Sequence, residues 1–178
     1  MNVATIKPHD IANGVGVRVS LFVSGCEHAC PACFNPEAWD FSFGEPYTDA
    51  TESRILAALA PEHIRGLTLL GGEPLHPRNR AVVCALAERV RQTYPAKDIW
   101  CYTGYHFEQE LLPECQRDPV LRRLLEQLDT LVDGRFVEAK KNLSLRFRGS
   151  ENQRVLRCRA SLAAGEAILD DTYMQGQG

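Results

Sequence analysis

The apolar positions along the chain alternate between two spacings. Short β-branched or aromatic runs predict strands, and apolar residues three or four positions apart predict helices. The predicted strands are 17–23, 67–70, 98–103 and 130–132. The predicted helices are 51–60, with Asp49 and Thr51 as candidate N-terminal caps, 78–93, and a helix that begins after Pro119. This alternation predicts an α/β protein built from parallel βαβ units.

The length of the chain limits how these units can close. A closed eight-stranded βα barrel needs roughly 200 residues or more, and the chain has 178. We therefore expect an incomplete (partial) βα barrel, with parallel strands inside and helices outside. We expect residues 1–160 to form one domain. Residues 161–178 lack a clear pattern, so we expect a loosely ordered C-terminal tail.

Charge and composition exclude several partner classes. The net charge is −3 at pH 7, which gives no electrostatic reason to bind nucleic acid or an anionic membrane. The sequence contains no run of about 18 apolar residues that would span a bilayer. Its first residues lack the apolar stretch of an export signal, so we expect a cytoplasmic protein.

Each predicted strand runs directly into a polar or glycine-rich turn. The turns are SGCEHACPAC after the first strand, GGEP after the second, TGY after the third and DG after the fourth. In parallel α/β folds, ligands bind at the carboxyl ends of the strands. We therefore expect the four turns to converge on one site.

Three of the seven cysteines, Cys26, Cys30 and Cys33, lie within eight positions. Close thiolates on a short loop can hold an iron–sulfur cluster, and three ligands would leave one iron open to a substrate. The alternative is structural zinc, which needs four ligands; His28 or a distant cysteine could supply the fourth. The spacing favours an iron–sulfur cluster and leaves a non-enzymatic zinc-binding module open.

Two further turns carry candidate ligand contacts. The glycines Gly71 and Gly72 let backbone amides approach a ligand closely, and Glu73 can accept a hydrogen bond from an ammonium group. Alone, this motif is typical of a plain turn, but beside the cysteine triplet it favours ligand binding. Thr103 and Gly104 offer polar groups to a ribose or a carboxylate. The donor-rich segment 147–154 fits a solvated loop, a cover over the site or a partner contact.

The order of these motifs resembles the radical S-adenosylmethionine superfamily. Within it, the closest resemblance is to the branch of activating proteins of anaerobic (class III) ribonucleoside-triphosphate reductase. The matching motifs are LFVSGC (21–26), CFN (33–35), GGEPLHP (71–77), TGY (103–105), VDGRFV (132–137) and RGS (148–150). Two positions depart from the branch: Ala32 stands where glycine is usual, and Glu73 stands where aspartate is often found.

The resemblance implies a radical S-adenosylmethionine oxidoreductase with a partial barrel. It implies a 4Fe–4S cluster on Cys26, Cys30 and Cys33, with the methionyl amine and carboxylate of S-adenosylmethionine on the remaining iron. Reductive cleavage would yield a 5′-deoxyadenosyl radical that takes a hydrogen atom from a glycine of the reductase. The expected cofactor contacts are Ala32, Cys33, Phe34, Gly71, Gly72, Glu73, Pro74, Thr103 and Gly104.

The same resemblance implies partners. Arg148 and Asn152 are expected to face the reductase, and no catalytic side chain is expected beyond the cluster and cofactor ligands. A low-potential donor such as flavodoxin is expected to supply the electron. A homodimer and a complex with the reductase are both compatible with this view. Another small radical enzyme of the superfamily, with a different substrate, is the alternative.

Overall fold

A seven-stranded sheet organises the chain, and the computed structural model describes residues 1–174. The strands are β1 (Asn2–Asp10), β2 (Val17–Val23), β3 (Glu45–Pro46), β4 (Ile64–Gly71), β5 (Asp98–Tyr102), β6 (Thr130–Asp133) and β7 (Arg154–Arg157). The α-helices are α1 (Asp49–Leu59), α2 (Arg80–Thr93), α3 (Leu112–Cys115), α4 (Pro119–Gln127), α5 (Cys158–Ala164) and α6 (Asp171–Met174). Shorter helical turns cover Pro36–Trp39, Phe107–Leu111 and Glu138–Lys140.

The order of the strands across the sheet is β3-β1-β2-β4-β5-β6-β7. The four central strands, β2, β4, β5 and β6, are parallel to one another. The flanking strands β1, β3 and β7 pair antiparallel with their neighbours. The predicted α/β class and its parallel strands are thus confirmed for the centre. The antiparallel strands at both edges were not predicted, and the sheet stays open between β3 and β7.

The two faces of the sheet have different partners. Side chains alternate between faces along a strand, and Val19, Leu21 and Val23 of β2 pack into the same hydrophobic core as Ile55 of α1. That core also takes residues of α2 and α4. On the opposite face, Phe22 of β2 lines an open cavity instead. Helices α1, α2 and α4 therefore cover one face of the sheet, while the opposite face carries the cavity and also packs against Tyr173 and Met174 of α6.

The predicted elements of the central region are found with small shifts. The strand predicted at 17–23 is β2 itself, and the predicted helices correspond to α1, α2 and α4. The cap of α1 differs from the prediction, because Thr48 is the N-cap residue and Thr51 completes a capping box with it. None of the helices within residues 1–174 is both long and apolar enough to cross a bilayer.

The C-terminal region packs against the sheet as far as the structure describes it. The domain limit expected at residue 160 falls inside α5. Ser161 is fully buried, and Leu162 and Ala167 pack against the hydrophobic core. Residues 175–178, which belong to the expected loose tail, lie outside the described residues.

Candidate metal and cofactor site

The cavity forms where the central strands end. Because β2, β4, β5 and β6 are parallel, their carboxyl ends meet at the same edge of the sheet. The turns that follow them contribute to the wall of a cavity of about 520 Å³. The prediction that four turns converge on one site agrees with this arrangement. Of the sequence-predicted residues, the wall includes Cys26, Cys30, Cys33, Phe34, Gly71, Gly72, Thr103, Gly104 and Arg148.

The three cysteines lie on a loop, residues 24–35, that we call the cluster loop. All three thiols are free and partly exposed, and all three line the cavity. The start of the loop is fixed through its backbone: the Gly25 N–H donates to the Ala38 carbonyl at 2.7 Å and the Cys26 N–H to the Trp39 carbonyl at 3.1 Å. The short helical turn Pro36–Trp39 thus holds the first cysteine in place.

The cluster loop adopts tight backbone turns between its cysteines. Ala29 (φ 46°) and Ala32 (φ 55°) both have left-handed conformations, which cost a non-glycine residue about 1–2 kcal/mol each. Ala32 is exposed and is not part of the cavity wall. Its position is one where glycine would be relaxed, which gives a physical reason for the glycine that is usual there in the branch the sequence resembles.

The chemistry of this donor set fits an iron–sulfur cluster. Burial raises the pKa of the Cys26 thiol to about 11 and also raises that of Cys30, so metal binding must displace protons from them. Three thiolates on one loop leave a position on a four-iron cluster without a protein ligand. The other four cysteines are buried in the core, away from the cavity wall.

His28 does not complete a zinc site in this arrangement. Its Nε2 lies 2.9 Å from Oε2 of Glu73, and its Nδ1 accepts a hydrogen bond from Nε of Arg135 at 3.2 Å. Both ring nitrogens therefore already have protein partners. A structural zinc ion needs four ligands, and these contacts disfavour the zinc alternative in which His28 supplies the fourth.

The paired glycines allow the turn after β4 to touch the cluster loop. The Gly72 N–H donates to the Val23 carbonyl at 2.7 Å, and the Glu73 N–H donates to the Gly25 carbonyl at 2.9 Å. A Cβ atom on Gly72 would lie 2.7 Å from the Gly25 carbonyl oxygen, which real Cβ atoms do not tolerate. Gly71, at φ 107°, is in a conformation that disfavours side chains. Both glycines are needed for this close approach.

Two predicted cofactor contacts, Glu73 and Pro74, are buried and lie outside the cavity wall. The Glu73 carboxylate accepts hydrogen bonds from protein groups, including the Thr103 hydroxyl at 2.8 Å and the Gly104 N–H at 2.8 Å. Thr103 and Gly104 line the cavity themselves. Glu73 thus connects the turn after β4 with the turn after β5.

Several residues of the cavity wall were not predicted. They include Lys7, Phe22, Trp39, Tyr102 and Phe136. Phe22 and Tyr102 lie in predicted strands, one position from core-facing Val23 and Cys101, so alternation along the strand could have found them. Lys7 lies on β1, which was not predicted, and its amine lies 5.0 Å from the Phe22 ring.

The two residues expected to face a partner occupy different environments. Arg148 is only 9% exposed; its guanidinium donates to the carbonyls of Gln153 and Met174 at 3.1 and 2.9 Å. The Asn152 side chain donates to the Arg135 carbonyl at 2.8 Å. Two exposed residues of the cavity wall are apolar instead: Phe34 is 62% exposed and Leu143 is 86% exposed.

Comparisons with known proteins identify the family. A family model described as a 4Fe-4S single cluster domain matches residues 12–156. A protein of Pasteurella multocida (strain Pm70) is 45% identical over 159 residues, which cover 88% of this chain and 98% of the relative. A protein of Escherichia coli (strain K12) is 41% identical over 155 residues, 86% of this chain and 96% of the relative.

A phage relative extends this agreement. The protein of Enterobacteria phage T4 is 40% identical over 157 residues, 87% of this chain and 93% of the relative. All three relatives are named anaerobic ribonucleoside-triphosphate reductase-activating protein. The alignments span nearly the whole length of each relative. The chain therefore belongs to the family of anaerobic ribonucleoside-triphosphate reductase-activating proteins, which is built on a 4Fe–4S single cluster domain.

Proposed function

We propose that this chain holds a 4Fe–4S cluster on Cys26, Cys30 and Cys33, binds S-adenosylmethionine beside it, and generates a glycyl radical on an anaerobic ribonucleoside-triphosphate reductase. The observation that carries the proposal is the cavity in which three free thiols lie beside the glycine-rich ends of parallel strands. When bound, such a cluster supplies the electron for reductive cleavage of the sulfonium. The protein contributes the binding, orientation and shielding of the reactants.

The residues of the wall have separate parts in this proposal. The thiolates of the three cysteines hold the metal centre and leave one position open for the amino-acid end of the cofactor. Gly71 and Gly72 allow that end to approach the backbone, and Thr103 and Gly104 form the next part of the wall. The aromatic side chains on the remaining wall keep water away from the reacting atoms.

The open sheet supports a protein as the substrate. We propose that the sheet is a partial barrel of the radical S-adenosylmethionine type, whose open side admits a loop of the reductase. Phe34 and Leu143 are apolar, exposed and part of the cavity wall, as expected for a surface that another protein covers. A low-potential protein such as flavodoxin is proposed as the electron donor. The seven free thiols support a reducing compartment, which we propose is the cytoplasm.

The proposal is tested with oxygen-free, reconstituted protein. Reduced protein is incubated with S-adenosylmethionine, and 5′-deoxyadenosine is quantified by chromatography. Anaerobic ribonucleotide reductase from the same source is then added, and a glycyl radical on the larger protein is sought by electron paramagnetic resonance. We expect 5′-deoxyadenosine and the radical from the wild-type chain, and neither from a Cys30→Ala control.

Two outcomes would contradict the proposal at different levels. If the reconstituted chain holds zinc and no iron–sulfur cluster, the enzyme assignment fails. If it cleaves the cofactor and consumes a small heterocyclic substrate while the reductase gains no radical, only the protein substrate is wrong.

A further inference from the structure

The Glu73 carboxylate is the most fully bonded charged group at the site. It is 1% exposed. Its Oε1 accepts from the Leu75 N–H at 2.9 Å and from the Thr103 hydroxyl at 2.8 Å. Its Oε2 accepts from the Gly104 N–H at 2.8 Å and lies 2.9 Å from Nε2 of His28. An ionised carboxylate offers about four acceptor positions, and these four donors fill them.

The hydrogen-bond roles of the two His28 ring nitrogens follow from their neighbours. Nε of Arg135 is a donor, so the Nδ1 it contacts at 3.2 Å must accept. Nε2 then carries the proton and donates to Glu73. Arg135 itself pairs with Glu110 at 3.1 Å. His28 lies between Cys26 and Cys30 in the cluster loop, so this chain of hydrogen bonds reaches the middle of that loop.

The His28 ring packs directly against Gly104. A Cβ atom at position 104 would lie 2.3 Å from Cδ2 of His28, so a side chain there would displace the ring. Tyr105 packs edge-on against the same ring, with centroids 4.6 Å apart. Gly104 and Tyr105, in the turn after β5, therefore pack against the His28 ring, and Glu73 contacts its Nε2.

We propose that Glu73 is a positioning residue: through His28 it fixes the cluster loop to the turns after β4 and β5, and it does not bind the ammonium group of the cofactor. The inference rests on the proposed function, because it concerns how the cluster loop is held. It replaces the sequence-based expectation of a Glu73 contact with the cofactor. The contact joins residues that are 45 positions apart in the chain.

The amide of glutamine cannot replace this carboxylate. In a Glu73→Gln protein, the NH2 group would face either the His28 and Gly104 donors or the Leu75 N–H. If His28 moved its proton to Nδ1 to compensate, that proton would face the Arg135 donor. Each arrangement leaves a buried donor without an acceptor.

The test compares Glu73→Gln and His28→Ala with a matched control, Asp129→Asn. Asp129 precedes β6 at the opposite end of the sheet, and its carboxylate accepts from the Ile99 N–H at 2.8 Å and pairs with Arg91 at 2.7 Å. The control therefore makes the same chemical change to a carboxylate that connects two strands. Each protein is reconstituted without oxygen, and iron loss to a chelator is followed by the bleaching of the cluster absorbance.

We expect iron loss to be about tenfold faster or more in Glu73→Gln and in His28→Ala, which is the size of one hydrogen bond to a charged group. The electron paramagnetic resonance spectrum of the reduced cluster should change in both. The double variant should lose iron within about twofold of the faster single variant, because both substitutions break one connection. Asp129→Asn should keep the wild-type spectrum and rate.

The affinity for S-adenosylmethionine, measured per assembled cluster, distinguishes a positioning role of Glu73 from direct binding of the cofactor's ammonium group. In the His28→Ala background, Glu73→Gln should weaken binding by less than about threefold, whereas losing an ammonium contact would weaken it by about tenfold or more. A loss of that size, with wild-type iron release in Glu73→Gln, would overturn the inference and leave the proposed function standing. If the wild-type chain assembles no cluster, the proposed function fails instead.

A third variant keeps the inference testable if Glu73→Gln does not fold. Gly104→Ala should accelerate iron loss because it displaces the His28 ring. In the His28→Ala background the same substitution should have no further effect on iron loss, since the clashing ring is gone. If Gly104→Ala accelerates iron loss equally in both backgrounds, His28 does not connect Glu73 to the cluster loop, and the inference is wrong.

Discussion

Replacing Gly72 by alanine tests the contact between the turn after β4 and the cluster loop. The added methyl group would lie 2.7 Å from the Gly25 carbonyl oxygen and 2.8 Å from the Ala38 carbonyl oxygen. Both opposing atoms belong to the backbone, so they cannot rotate away as a side chain would. Ala38 also accepts the hydrogen bond from the Gly25 N–H that leads into Cys26. The substitution should therefore disturb the metal site as well as the fold.

The size of the effect follows from the contacts that must open. Forcing a methyl group into a packed position costs about 1–3 kcal/mol. Weakening the Gly72–Val23 and Glu73–Gly25 hydrogen bonds adds about 1 kcal/mol. We expect the free energy of unfolding to fall by about 3 kcal/mol, which for a chain of this size lowers the melting temperature by roughly 6–12 °C.

The assay is thermal unfolding of the cluster-free protein by circular dichroism, followed by iron content after reconstitution. Gly165→Ala is the control, because Gly165 has φ 72° but no atom within 4 Å of the place that the methyl group of alanine would occupy. Gly165→Ala should lower the free energy of unfolding by about 1 kcal/mol, because of its backbone conformation alone. It should keep full iron content. A Gly72→Ala protein with wild-type melting temperature and iron content would refute the packing argument.

Three further predictions concern separate parts of the chain. Alanine at any one of the three cluster-loop cysteines should abolish 4Fe–4S content in iron and sulfide assays, whereas Cys84→Ala should retain it because Cys84 is buried in the core. Hydrogen bonds from Arg154 lower the pKa of Glu108 to about 2; this stabilisation is present above the ordinary pKa of about 4.5 and is lost as the pH falls through about 2. The stability difference between wild type and Glu108→Gln, measured by urea unfolding, should therefore shrink as the pH falls across that window, and a constant difference would contradict it. Leu143→Ser should lower the yield of glycyl radical on the reductase without changing 5′-deoxyadenosine formation by the isolated chain, and Leu169→Ser, which is outside the cavity wall, should change neither.

The centre of the fold could be predicted because its apolar pattern is strong. The strand β2 is buried at every position after Val17, and its core-facing residues Val19, Leu21 and Val23 alternate along the sequence, which is the period of a strand with one face in the core. The helix α2 buries Val83, Leu86 and Val90 on one side, which is the spacing of an amphipathic helix. In these elements local pattern and tertiary environment agree.

The edges of the fold could not be predicted in the same way. Only Val3 and Asp10 are buried in β1, and Pro8 interrupts its pattern. The strand exists because it pairs with β2 and β3, and pairing partners are not visible in a local window. α5 was missed for a similar reason, since its seven residues are too few to establish a helical period.

The location of the site could be predicted from the sequence, but the hydrogen bonds that connect its turns could not. Strand ends and cysteine spacing locate the cavity from sequence alone. The bond between His28 and Glu73 depends on how two turns meet, and neither residue signals it. The same holds for Arg148, whose sequence neighbours do not show that its guanidinium donates to the backbone carbonyls of Gln153 and Met174.

At the amino ends of the strands, a buried ion pair lies on the face of the sheet that carries the cavity at the carboxyl ends. A closed barrel fills its interior with layers of side chains from alternate strands, and an open sheet has fewer strands to contribute them. Here the fully buried Arg18, at the start of β2, fills the space: its Nε donates to the Thr68 hydroxyl at 2.7 Å and its guanidinium lies 5.3 Å from the Trp100 ring. Asp98 compensates the buried charge at 2.6 Å. This ion pair thus occupies the amino ends of the strands on the face that carries the cavity at their carboxyl ends, beside the cluster loop.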